Sequence, residues 1–360
     1  MRDAQENKQV DVSFPRPVNG ERAGVRGNKE TEMRFTHMLL ILTGASLIPA
    51  AAPASAQSGY PTKPIRLVVP YPPGGATDVT GREISRTLGA AWGQPLVVDN
   101  RAGAAGTVGH AVVAKAVPDG YTLVVGTFGG LVSGPALLGD KVPYDPVNDF
   151  APMGLAVYTP WVLVAHPGLA AKNVKELVDL AKASPGKLNY ASTGTGTPNH
   201  LGMVLLMVHA GIDMLHVPYR GAGPAVVDLL AGRVQTLFSG APQVIPHVKS
   251  GRLRAIGVGH SSRINALPDV PTIAESVPGF YNSGYYGLLG PARTPAPIVR
   301  KVHAELSRTF SAPDVAARME AQGLVAAPSS PDEFRELVRR DLALWRKVIK
   351  TTGITVESVQ

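Results

Sequence analysis

The chain has 360 residues, 44% hydrophobic and 17% charged, with 39 glycines and 32 prolines, which is the composition of a globular chain long enough for two modest domains. It contains no cysteine, which excludes a disulfide framework, a thiolate metal site and cysteine nucleophile chemistry. The net charge of +8 is modest and no run of Lys and Arg interleaves with aromatic residues, so the basic side chains read as a solvated surface and not as a nucleic-acid groove.

Residues 1–32 are polar, rich in Gly, Arg and Glu, and lack any apolar period. They read as a disordered extension, or as translation assigned upstream of a start at Met33. Residues 33–56 have the order of a secretory signal peptide: Arg34, an apolar run over 38–48, then a small-residue stretch ending Ala54-Ser55-Ala56. The run is shorter than the roughly 20 residues a spanning helix needs, and Pro49 and Pro53 follow it. Cleavage is expected after Ala56, with a periplasmic mature chain.

From residue 65 onward short β-branched runs alternate with helical patterns, the signature of parallel sheet built from βαβ units. Residues 65–69 read as a strand. Thr77 or Asp78 then caps a helix whose Thr80, Ile84, Leu88 and Ala91 share one face and which Gly93 ends. Strands follow at 96–99 and 122–125, flanking a helix over 106–116. A second set begins with a strand at 162–165 and a helix over 174–181 stopped by Pro185-Gly186. Strands at 187–191, 214–217, 234–238 and 253–258 alternate with helices over 199–210, 224–231 and 242–249. A strand at 285–289 leads to helices over 296–310, 313–322 and 331–352, the last opening with the capping box of Ser330 and Glu333 and with Pro331 at its first position. Two α/β lobes fit this length, each with loops at the carboxyl ends of its strands where open sheets bind ligands.

Enzymatic signatures are missing: there is no G-x-S-x-G elbow, phosphate-binding G-x-x-x-x-G-K-[ST] loop or H-E-x-x-H pair, so the chain reads as no enzyme. No histidine beyond His37 sits three or four residues from another, which argues against a metal site, and no cofactor is implied. What stands out is small-residue loops between strands and helix starts. The segment 70–78, PYPPGGATD, has glycines that let backbone N–H groups approach a ligand, and helix N-termini attract anions. The segment 191–200, ASTGTGTPNH, repeats the device with hydroxyls, 217–224 opens another helix, and 127–130 follows a further strand. Such loops facing one cleft suit a carboxylate held by backbone amides and water, a holding task without a reaction.

These segments in their order resemble the solute receptors of tripartite tricarboxylate transporters, the TctC or Bug-type binding proteins. The match runs from YPPGGATD at 71–78 and DNRAGAAG at 99–106 through AKAVPDGYTLVVGT at 114–127, GKLNYASTGTGTPNHL at 186–201 and HVPYRGAGPAVVDLLAGRV at 216–234. HVKSGRLRAIGV at 247–258, LPDVPTIAES at 267–276, YYGLLGPARTP at 285–295 and the terminal EFRELVRRDLALWRKVIKTTGI complete it.

The resemblance implies an α/β, two-lobed periplasmic-binding-protein-like fold of type II, each lobe a largely parallel sheet flanked by helices, with the ligand cleft between. Its lobes would be 57–158 plus 287–360 and 159–286, closing by a hinge. The ligand residues it implies are Tyr71, Pro73, Gly74, Gly75, Thr77 and Asp78 in the first lobe, and Ser192, Gly194, Gly196, His200, Tyr219, Arg220 and Gly221 in the second. Where such receptors carry several hydroxyls, this chain reads Thr127-Phe128-Gly129-Gly130, which brings an aromatic toward the ligand. Arg220 stands where Lys is common, and Tyr285-Tyr286 where Trp often occurs, leaving room for an aromatic or less polar carboxylate. The implied partners are a small carboxylate and two integral membrane transporter subunits, with a monomeric receptor; a periplasmic sensor docking on a signalling receptor is the alternative.

Overall fold

The structure, a computed structural model, describes residues 59–352; the extension 1–32, the signal peptide and its cleavage point lie outside the described residues. The chain runs β1 (Ile65–Val69), α1 (Ala76–Trp92), β2 (Leu96–Asn100), α2 (Thr107–Ala114), β3 (Thr122–Thr127), α3 (Gly134–Leu138) and β4 (Phe150–Ala165). It continues with α4 (Val174–Ala183), β5 (Asn189–Ser192), α5 (Pro198–Ala210), β6 (Leu215–Pro218), α6 (Ala222–Leu230), β7 (Thr236–Gly240), α7 (Ala241–Lys249) and β8 (Arg254–Val258). The strand β9 (Ser283–Pro291), helices α8 (Ala296–Ser311) and α9 (Pro313–Ala321), the short β10 (Val325–Ala326) and α10 (Pro331–Thr352) complete it.

The strands lie in the order β2-β1-β3-β9-β4-β7-β5-β6, with β8 and β10 also paired to β4. Pairing is parallel where the βαβ pattern is regular: β1 with β2 and β3, and β5 with β6 and β7. It is antiparallel at the centre, where β9 joins β3 to β4. The 16-residue β4 belongs to both halves. It follows β9 from Phe150↔Pro291 to Pro160↔Ser283, then pairs β7 from Trp161↔Gly240 to Ala165↔Thr236 and β8 on its other edge.

Only the last four residues of β4 are legible as a strand. Pro152, Gly154 and Pro160 interrupt the pattern, and the sheet absorbs them with register shifts, Gly154 taking φ 130°. A second correction concerns α1, which starts at Ala76 with Gly75 as its N-cap, not Thr77 or Asp78. Thr80, Ile84 and Leu88 are buried as the spacing requires, whereas Ala91 is exposed in the last turn before Gly93 closes the helix at φ 64°. The capping box of α10 forms as its sequence demands: Glu333 N–H donates to Ser330 Oγ at 3.2 Å and Ser330 N–H to Glu333 Oε2 at 2.8 Å. Among the described residues no helix is long and apolar enough to cross a membrane.

Candidate functional site

The first loop, between β1 and α1, is shaped by one carboxylate. Asp78 Oδ2 accepts from Gly74 N–H at 3.0 Å and Arg82 Nε at 2.8 Å, and Oδ1 accepts from Asn100 Nδ2 at 3.0 Å. Asn100 also donates to the Tyr71 carbonyl at 2.9 Å, tying the loop to the end of β2. Burial pushes the Asp78 carboxyl up, but the hydrogen bonds from Arg82, Gly74 and Asn100 outweigh it and hold the group below the usual aspartate range. Asp78 thus organises the loop and has little capacity left for a ligand. Pro73 and Gly74 are exposed, Thr77 is buried with its hydroxyl beside that of Tyr286, and Tyr71 donates its hydroxyl to the Ala105 carbonyl at 2.9 Å.

The loop after β3 is fixed by a histidine absent from the sequence expectations. His110 is fully buried; Nδ1 lies 2.9 Å from the Gly106 carbonyl and donates to it, while Nε2 accepts the Thr127 N–H at 3.4 Å. Thr127 Oγ1 accepts from Gly130 N–H at 3.2 Å, and Tyr144 donates its hydroxyl to the Gly130 carbonyl. Glycine is required at 130, where a methyl group would fall 2.1 Å from His110 Nδ1. The Phe128 ring sits edge-on to Tyr285 and Trp345, with centroids 5.8 and 5.7 Å away, and is 4% exposed, packed against β9 and α10.

In the other half, Tyr190, His216 and His200 form a stack, the two imidazoles with centroids 4.1 Å apart. His216 Nε2 lies 2.7 Å from Ser192 Oγ, Ser192 Oγ accepts from Gly194 N–H at 3.1 Å, and His200 Nδ1 accepts from Gly196 N–H at 3.1 Å. Burial, with His216 alongside, holds His200 down to about 3, so the ring is neutral and its acceptor nitrogen is available to the loop. Asn199 anchors the helix start below by donating to the Phe238 carbonyl at 2.7 Å. Tyr219 N–H donates to the Ser192 carbonyl at 3.0 Å and its hydroxyl to Asp228 Oδ2 at 2.7 Å. Arg220 is exposed and has no ion-pair partner among the described residues; Gly221 is the N-cap of α6 at φ 108°.

The loops of the two halves approach each other at two of the places where the halves meet, in addition to the contacts of Asn265 with Glu320 and of Gly323 with Ile245. A methyl group at Gly196 would lie 2.0 Å from Leu137 Cδ2 of α3, and one at Gly75 would lie 3.7 Å from Gln243 Nε2 of α7. The first turn of α7, unrecognised in the sequence as part of the site, therefore faces the first loop. Four helices open on this region, α1, α5, α6 and α7, and none carries a side-chain cap: their N-caps are Gly75, Thr197, Gly221 and Gly240. α4 is capped by Asn173, which accepts from Glu176 N–H, whereas α2, α8 and α9 also lack a side-chain cap, so what sets the four apart is their position. Uncapped N-termini leave backbone donors and positive dipole ends for an anion. Two surface depressions lie away from these loops, one by Tyr60, Trp92 and Lys301 and one by Arg263 and Glu320. No group of three or more potential metal-ligating side chains occurs among the described residues.

The profile of the tripartite tricarboxylate transporter family receptor matches residues 80–354. The chain belongs to this receptor family. It is 35% identical over 324 residues to protein BugT of Bordetella pertussis, covering 89% of this chain and 99% of that one. Among solved structures, a Rhodopseudomonas palustris protein with adipate superposes at a TM-score of 0.77 with 32% identity, over 82% of this chain and 99% of the other. MatC from the same organism with bound malate superposes at 0.73, also with 32% identity, over 81% and 100%. The mixed α/β architecture of this receptor is that of the periplasmic binding proteins.

Proposed function

We propose that this receptor captures a small carboxylate outside the cytoplasm and delivers it, unchanged, to the membrane subunits of a tripartite tricarboxylate-type transporter. The observation that carries the reading is the convergence of four helix N-termini without side-chain caps, from both halves of the sheet, onto one region. Adipate and malate in two related receptors support the ligand class. A micromolar site needs about 8 kcal/mol net, and charge-assisted hydrogen bonds of roughly 1.5–3 kcal/mol each from several loops supply it after association costs.

In this reading the ligand contacts come from Gly74, Gly75 and Thr77 of the first loop, from Thr127, from Ser192, Gly194 and Gly196, and from Arg220 and Gly221 at the rim. Tyr71, Asp78, His200 and Tyr219 hold those loops in shape. The lobes are 57–158 plus 287–360 and 159–286, a division supported by the change of β4 partners between Pro160 and Trp161. The mature receptor begins at Gln57, acts as a monomer and docks on two integral membrane subunits. A thermal-shift and calorimetric screen of small acids, sugars and amines tests the ligand class. Stabilisation by carboxylates alone, with ligand recovered intact, is expected; stabilisation by a sugar or amine and by no acid overturns it.

A further inference from the structure

Where β4 passes from one half of the sheet to the other, it carries two buried polar side chains. Thr159 and Trp161 are 1% and 8% exposed; the indole Nε1 has no hydrogen-bond partner, and the Thr159 hydroxyl lies beside that of Tyr286. A buried donor without an acceptor costs roughly 1–3 kcal/mol. Both residues flank Gly240, the N-cap of α7. A methyl group there would lie 3.6 Å from Thr159 Oγ1, 3.9 Å from Gln243 Oε1 and 4.0 Å from Trp161 Cζ3, so the glycine leaves room for a light atom without crowding any neighbour. Gln243 Oε1 accepts from Ser239 Oγ at 2.7 Å, which fixes the amide and turns Nε2 toward Gly75. Gly284 opposite Thr159 is compelled to be glycine, since a methyl group would meet Thr159 Cγ2 at 2.7 Å. None of these groups is cationic.

We propose that Thr159, Trp161 and Gln243 frame an uncharged polar subsite over Gly240 that reads a second acceptor oxygen of the bound acid. The inference rests on the carboxylate reading above and adds to it the residues that set specificity. Helix N-termini hold one carboxylate; the indole N–H, which can only donate, and the threonine hydroxyl take the far oxygen of a dicarboxylate. A monocarboxylate of equal length leaves the indole donor unpaired, which is how a buried polar site rejects an analogue that lacks the matching group.

The test compares adipate with hexanoate and succinate with butyrate by calorimetry on wild type, Thr159→Val, Trp161→Phe and Gly240→Ala. Thr159→Val keeps shape and removes one hydroxyl, Trp161→Phe removes the indole donor and part of the ring, and Gly240→Ala fills the space at φ −59°, a conformation alanine adopts freely. Wild type is expected to prefer the better-fitting diacid over its monoacid at least about tenfold, and each donor variant to cut that preference by about tenfold while the ligand-free melting temperature holds or rises. Gly240→Ala is expected to weaken the diacid and spare the monoacid. Equal diacid preference in wild type and both donor variants overturns the subsite and leaves the carboxylate reading standing. Equal affinity for diacid and monoacid in wild type does the same, whereas binding of none of the acids overturns both.

Discussion

Gly196→Ala separates the fit between the two halves from the folding of either. Gly196 has φ 74°, so alanine there costs about 1–2 kcal/mol in backbone strain. Its methyl group also meets Leu137 Cδ2 at 2.0 Å, a contact that exists only while the loop before α5 lies against α3. Relieving it needs a shift of Leu137 or a separation of the halves, and overpacking of this kind costs about 1–3 kcal/mol. Under the proposed function the ligand is held while these loops are in contact, so the second penalty falls on the bound state and carboxylate affinity is expected to drop on the order of tenfold to a hundredfold. Gly211→Ala is the control: it lies at φ 63° at the other end of α5 with no atom within 4 Å of an added methyl, so it carries the strain without the contact. Calorimetry with adipate and malate, alongside melting curves, distinguishes the two. Both variants should lose similar stability, only Gly196→Ala should lose affinity, and adding Leu137→Ala should recover most of it. Affinity lost equally in both glycine variants, or no recovery in the double variant, refutes the closure argument.

Phe128→Ser is expected to destabilise by about 3–5 kcal/mol, seen as a lowered urea midpoint, with the ranking of bound acids unchanged, because its ring fills the gap between Tyr285 and Trp345. Stability should fall on acidification from about pH 6.5 to pH 4. His110 and His200 are held by burial at about 4 and about 3, so the unfolded chain takes up protons over that window while the folded chain does not, costing up to ~1.4 kcal/mol per pH unit for each. Asp341 works against them: burial raises it to about 6, so its contribution is lost as pH rises through that value, and Asp341→Asn should steepen the acid loss in urea titrations at pH 7.5, 5.5 and 4.5. N-terminal sequencing of exported protein should begin at Gln57; an intact Met33 in the membrane fraction would contradict the leader assignment.

The parallel βαβ sets were legible because their burial is periodic, as in the stripe Thr80, Ile84, Leu88 and in α4, whose Val174, Leu177 and Ala181 are buried. The long β4 was not, since its Pro and Gly residues break the alternation that identifies a strand and only cross-strand partners reveal it. At the site, the glycine-containing loops were readable as loops, and the structure adds that Gly74, Gly194, Gly196 and Gly221 have positive φ. The roles of His110 and His216 were not readable, because they reach Thr127 and Ser192, distant in sequence, and a histidine in a chain carries no mark of its future neighbours; His200, implied by the resemblance, holds Gly196 only four residues away. The packing of Phe128 was hidden for the complementary reason. An aromatic beside a ligand loop is equally apt to be core, and only its burial against Trp345, more than two hundred residues away, decides it.

The treatment of charge ties the loop geometry to the ligand. A carboxylate at a site for carboxylates should repel its ligand, yet Asp78 lies at the head of α1 with 3% of its surface exposed. Its two oxygens are already occupied by Arg82, Gly74 and Asn100, so its charge is compensated locally and it serves to aim the backbone of residues 74 and 75. The same logic explains neutral histidines in the other half. A protonated His200 would lose its acceptor for Gly196 N–H and release the loop, so burial beside Tyr190 and His216 keeps the ring uncharged and the loop in place. The attraction left for an anion then comes from fixed backbone dipoles and from Arg220 at the exposed rim, where a mobile cation aids capture without the desolvation a buried one would require.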